Sequence, residues 1–150
     1  MKIVVQRVKS AKVSVGGKTT SEIGAGFLIL VGVGKEDREE DLKYLSKKLT
    51  ALRIFEDDKG KMNLDIKKAR GSILSVPQFT LYADTRKGNR PGFEMSAEPQ
   101  SAKKLWEDFN SMLESCGADV KEGIFGARME VELINDGPVT ILLDSKGRYV

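Results

Sequence analysis

Four stretches of this chain hold residue types that can do chemistry, and none of them contains an imidazole. In Ser75-Val76-Pro77-Gln78-Phe79-Thr80-Leu81-Tyr82, a proline interrupts an apolar run. Proline removes one ladder donor and frees neighbouring groups, which suits a bulge or a backbone turned toward a ligand. The N–H groups of Phe79 and Thr80 are then free to face a cavity; an edge strand fits the same pattern. Arg86-Lys87-Gly88-Asn89-Arg90-Pro91-Gly92-Phe93 sets three cations on a glycine-rich segment that ends in an aromatic ring. Such a loop grips phosphates and a terminal base, or is simply a solvated basic loop. In Gly123-Ile124-Phe125-Gly126-Ala127-Arg128-Met129, Gly126 marks a bend or a close backbone approach. Met129 there is either core filler or the wall of an apolar pocket. In Asn135-Asp136-Gly137-Pro138-Val139, a Gly-Pro pair abuts the apolar run Val139 to Leu143. Either the pair starts a strand, or its backbone shape is itself the tool.

The sequence contains no histidine. Ser-His-Asp and Cys-His sites are therefore excluded, as is any histidine-ligated metal site. The acidic residues Glu56, Asp57, Asp58 and Asp65 read as turn and surface residues, with no spacing that suggests a carboxylate pair or a metal cage. An enzyme built on this chain must use backbone dipoles, hydroxyls, carboxylates or the substrate itself. The single cysteine, Cys116, lies in an apolar helical stripe and reads as a buried thiol.

The elements that position these residues follow from periodicity. The chain has 150 residues, 40% hydrophobic and 31% charged, with net charge +3, which predicts one globular domain, 1–150. The charge permits a nucleic-acid partner without demanding one. Strands are expected at the N-terminal run Lys2 to Val8, around a Gly16-Gly17 hairpin, and in the apolar run Gly26 to Val33. Leu42, Leu45, Leu49 and Leu52 recur at helical spacing, predicting a helix from about Arg38 to Leu52, with Asp37 and Glu40 as its start signal. A second helix opens at Pro99 and closes at Gly117. Further strands are expected over 71–83, 118–125, 127–135 and 138–144. The outcome is an α/β (α+β-like) chain: curled mixed or antiparallel sheets in a barrel-like core, with two amphipathic helices packed outside. With no signal peptide or membrane span visible, a cytoplasmic location is expected.

Six of these segments occur in the same order in one family. The chain resembles the homodimeric D-aminoacyl-tRNA deacylases of bacteria and eukaryotes through "MKIVVQRV", "LRIFEDDKGKMN", "VPQFTL", "KGNRPGF", "GIFGARMEV" and "NDGPVTI". Two positions depart from the family's pattern. Pro77 stands where a serine is usual, so any role of that hydroxyl is absent here, whereas Gln78, Phe79 and Thr80 match. Arg128 occupies a position of variable character and carries no function.

The resemblance implies hydrolysis of the ester that joins a D-amino acid, and glycine, to the 3′ end of tRNA, in a cytoplasmic homodimer without metal or organic cofactor. It implies catalytic Gln78, Phe79 and Thr80, and a substrate pocket of Pro77, Phe125, Gly126, Ala127 and Met129. It implies tRNA contacts from Arg86, Lys87 and Arg90. It also implies that Gly137–Pro138 is a cis pair that rejects L-amino acids in the partner subunit's site. An activated ester suits such chemistry: backbone N–H groups stabilise the oxyanion, and the ribose 2′-hydroxyl can orient or activate water. Thr80 is more naturally a shaper of the pocket than a nucleophile. A non-catalytic binder of RNA ends and a small-molecule esterase are the alternatives.

Overall fold

A computed structural model describes residues 1–147. The chain runs β1 (Lys2–Val15), β2 (Lys18–Ile23), β3 (Gly26–Gly32), α1 (Glu39–Thr50), β4 (Phe55–Glu56), β5 (Met62–Leu64) and β6 (Ser72–Pro77). A 3₁₀ turn (Phe79–Tyr82), α2 (Pro99–Ser115), β7 (Asp119–Glu122) and β8 (Glu130–Asp144) follow. The main sheet is mixed. Its order is β2-β1-β3-β6-β7, with β8 antiparallel to β1 along nearly its whole length, while β3-β6-β7 are parallel neighbours. The sheet curls until its two ends meet, where Ser21 Oγ of β2 donates to the Glu122 carbonyl of β7 at 2.5 Å. The result is the nearly closed barrel with two helices that the patterning predicts.

Residue alternation explains the two-sided core. In β3, Phe27, Ile29 and Val31 join a cluster with Leu42, Leu45 and Leu49 of α1 and with Trp106, Phe109 and Leu113 of α2. Leu28 turns the other way, toward Val8, Val13, Leu74 and Val76. Both faces of β3 are thus buried, which is why its sequence reads as an unbroken apolar run. The Gly16-Gly17 hairpin forms as expected, with positive φ (57° and 78°) at both glycines.

Four expectations need correcting. The strand at Ser72 does not run on through Pro77; it ends there, and Phe79–Tyr82 coil into a 3₁₀ turn. Pro77 has no N–H for a further ladder bond, and the Gln78 N–H closes the pairing on the Val31 carbonyl at 2.7 Å. Asp37 does not start α1. Arg38 takes the cap position and its N–H donates to Asp41 at 2.9 Å, while Asp37 is buried in an ion pair with the Met1 α-ammonium. Cys116 is half-buried at the end of α2, not fully enclosed. The two expected strands on either side of Gly137-Pro138 are one strand, β8, with an interruption.

That interruption is a wide bulge. Val8 of β1 pairs with Asn135 and Gln6 with Thr140, so Asp136, Gly137, Pro138 and Val139 all stand opposite Arg7 alone. The surplus residues loop out of the sheet, leaving Gly137 and Pro138 exposed. Among the described residues, no helix is long and apolar enough to cross a membrane.

Candidate active site

The ends of β3 and β6, the face of α2 and the segment entering β8 enclose a cavity of about 340 Å³. Val31 and Val33 come from β3 and its extension, Val76 and Pro77 from β6, and Gln78 and Phe79 from the turn that follows. Ala102 and Trp106 close the side toward α2; Phe125, Gly126 and Ala127, then Met129 and Val131, form the opposite wall. The cavity is apolar except at the Pro77-Gln78-Phe79 rim, the arrangement of a site that encloses an apolar group and meets a polar one at its mouth.

The rim is built by the end of a strand. Because β6 stops at Pro77, the chain turns and presents the first N–H groups of the 3₁₀ helix, those of Phe79 and Thr80. Groups at a helix start have no acceptor one turn earlier within the helix, so these two N–H groups have no partner within the turn. The turn is braced at both ends. Gln78 Nε2 donates to Thr80 Oγ1, and the Tyr82 hydroxyl donates to Asp37 at 3.3 Å. Burial first, and then the Asp37 carboxylate, push the Tyr82 phenol well above its ordinary pKa, so it remains a neutral donor.

Seven of the residues singled out from sequence line this cavity: Pro77, Gln78, Phe79, Phe125, Gly126, Ala127 and Met129. Thr80 does not line it; its hydroxyl is occupied by Gln78. Arg86, Lys87 and Arg90 lie outside it, on a loop pinched shut by the Asp84–Gly92 bridge. That loop is fastened to the rim by Phe93, whose ring meets Phe79 edge-on at 4.9 Å. Arg86 folds back on Asp84 at 2.6 Å, and that hydrogen bond holds the carboxyl at about 2.

Gly137 and Pro138 do not line the cavity of their own protomer. Their peptide bond is cis, as expected. Sequence reasoning missed what holds the bulge. Arg7 is buried behind it; its Nε donates to the Asp136 carbonyl at 2.9 Å and its Nη1 to the Ile54 carbonyl at 2.6 Å. Asn135 spans the neck, accepting the Val139 N–H at 2.7 Å and donating to the Thr140 hydroxyl at 3.1 Å. A Cβ at Gly137 would lie 2.7 Å from the Val139 side chain, at a φ of +143°, so only glycine fits.

The model of the D-Tyr-tRNA(Tyr) deacylase family matches residues 4–144. A D-aminoacyl-tRNA deacylase of Thermosipho africanus is 55% identical over 146 residues, covering 97% of this chain and 98% of the relative. One of Bacillus licheniformis is 56% identical, covering 97% and 99%. Among solved structures, the c-Myc DNA unwinding element binding protein superposes with a TM-score of 0.91 at 40% identity, covering 96% of this chain and 98% of that one. A probable eukaryotic D-amino acid tRNA deacylase shares the fold, with a TM-score of 0.80 at 18% identity over 95% and 97% of the two chains. The chain belongs to the D-Tyr-tRNA(Tyr) deacylase family, hydrolases that remove D-aminoacyl groups from tRNA.

Proposed function

We propose that the cavity receives the 3′ end of a D-aminoacyl-tRNA, with the terminal nucleoside against its apolar walls and the ester at the Gln78-Phe79-Thr80 rim. The observation that carries this reading is the convergence of seven residues expected from the sequence on one largely apolar cavity, bordered by the start of a 3₁₀ turn whose first N–H groups have no partner within the turn. Those donors would bind the oxyanion that forms when water attacks the ester carbonyl, a contribution of roughly 3 kcal/mol per well-placed N–H. Thr80 then acts through its backbone, its side chain lying outside the cavity lining and accepting the Gln78 amide. With no imidazole in the chain, the ribose 2′-hydroxyl is the group best placed to orient or activate the water. Lys87, Arg90 and, after release from Asp84, Arg86 hold the phosphates leading to that end.

The rejection of L-amino acids falls to Gly137 and Pro138 of a second copy of the chain. Support comes from the exposed bulge that carries them away from their own cavity, and from exposed apolar side chains on the same strand: Ile134 is 58% exposed and Leu142 68%. A backbone gate held by a sheet does not rotate aside as a side chain can. It leaves room for a D-amino acid or glycine and none for an L side chain. The working unit is then a two-fold homodimer acting in the cytoplasm, where charged tRNA is used.

The deciding experiment incubates the enzyme with D-, L- and glycyl-tRNA beside enzyme-free controls. Rapid release of the D-amino acid and of glycine, with the L-ester intact, is the expected result. Tight tRNA binding with no hydrolysis would overturn the reading.

A further inference from the structure

The wall of the cavity opposite the loop depends on one hydroxyl. Ser75 lies in β6, fully buried between the equally enclosed Leu74 and Val76. A hydroxyl at such a position is unfavourable unless it is bonded. Here it accepts the indole N–H of Trp106 at 2.9 Å. The carbonyl of the same residue accepts the Gly123 N–H at 2.8 Å. One residue therefore joins α2 and the 123–129 segment to the strand whose end becomes the catalytic rim. Trp106 is the only tryptophan in the sequence, and its ring stands 6.1 Å from that of Phe125, tilted by 43°. Both rings line the cavity.

An indole has two broad orientations about its Cβ–Cγ bond, related by roughly a half turn. Only one of them brings Nε1 to Ser75; the other turns the N–H away from that hydroxyl. We propose that Ser75 is a positioning residue for the deacylation. By selecting the orientation of Trp106, it fixes the surface on which the terminal nucleoside rests, and so the placement of the ester at the rim. This rests on the reading of the cavity as the tRNA-end site. Ser75 touches neither the substrate nor the reacting atoms.

The test compares wild type with Ser75→Ala, Ser75→Cys, Trp106→Phe and the Ser75→Ala/Trp106→Phe pair in single-turnover hydrolysis of D-aminoacyl-tRNA. Ser75→Ala should raise the half-saturating enzyme concentration about tenfold while the maximal rate stays within about threefold. Cysteine, a weak acceptor of nearly the same volume, should give an intermediate value and serves as the variant if alanine does not fold. In the Trp106→Phe background, Ser75→Ala should add nothing, because the donor is gone. The free Ser75→Ala protein should also show altered Trp106 emission and weaker quenching by adenosine 5′-monophosphate. A loss of thermal stability with unchanged half-saturation and emission would make Ser75 merely structural and overturn the proposal, as would full additivity in the double variant. If wild type fails to hydrolyse the ester, the cavity reading falls, whereas the emission and quenching comparison still decides whether Ser75 sets the indole.

Discussion

Removal of the Arg7 guanidinium should loosen the Gly137-Pro138 bulge more than any other single change outside the cavity. Arg7 makes two charge-assisted bonds to backbone carbonyls, at 2.9 Å to Asp136 and 2.6 Å to Ile54. Each such bond is worth about 1.5–3 kcal/mol. The carboxylate of Asp136, 3.7 Å away and 43% exposed, adds little after solvent screening. Against the sum stands the desolvation of a buried cation, which the variant no longer bears. Arg7→Ala should therefore lose about 2–4 kcal/mol. With a urea dependence of about 1–3 kcal/mol per molar, the midpoint of unfolding should fall by roughly 1–2 M. Arg7→Lys keeps the charge but not a fork that spans both carbonyls, and should fall between. The functional readout is the ratio of L- to D-aminoacyl-tRNA hydrolysis, which should rise in both variants while the D-rate falls less. A midpoint within about 0.2 M of wild type, together with an unchanged L/D ratio, would refute the assignment of Arg7 to the bulge.

Thr80→Ala should keep most single-turnover activity, because its backbone N–H remains; a loss of roughly 10⁴-fold in a folded variant would instead make the hydroxyl the nucleophile. Replacing Arg86, Lys87 and Arg90 with alanine should weaken tRNA binding and flatten its salt dependence, the slope falling by about one to two units since Arg86 is already paired with Asp84. An unchanged slope would return the loop to the solvent. For Asp41, burial raises the carboxyl pKa, but the bonds from Lys146, the Arg38 N–H and Ser145 outweigh it and hold the group at about 2 against an ordinary 3.8. Its contribution is thus present above pH 3.8 and lost as pH falls toward 2, so the unfolding midpoint of Asp41→Asn should vary less than that of wild type across this window. Sedimentation at micromolar concentration should give a species near twice the 16.5 kDa chain mass; a monomer alone would remove the second-copy gate.

Much of the site was legible because it is local in sequence. Residue type flagged Pro77 as an irregularity and Gly126 as a bend, but it neither ended the strand at Pro77 nor decided between core and pocket for Met129; the resemblance supplied the pocket set, and the folded chain brings it together. The helices were found through their leucine spacing and the Pro99 and Gly117 boundaries. What escaped was non-local. Asp37 looks like a helix cap in sequence, and only the folded chain brings the Met1 ammonium, Gly34 and Tyr82 to it. The β8 bulge could not be read from β8, because a bulge is a mismatch between two strands and Arg7 lies on the other one. Trp106 lies on the buried face of α2; that its N–H faces Ser75 depends on how the helix packs across β6, which no local pattern carries.

The pairing of β1 with β8 bears on how the molecule is made. Nearly every residue between them must be synthesised before the second long edge of β1 finds its partner. Until then Ile3, Val5 and Val8 lie on a strand open to pairing with a neighbouring chain. Contacts this distant in sequence also form slowly. Met129 and Val131, which complete the cavity, arrive with the same late segment. A nascent chain thus gains its last sheet edge and the far wall of its cavity in one event, and a molecule that has not yet docked β8 has neither.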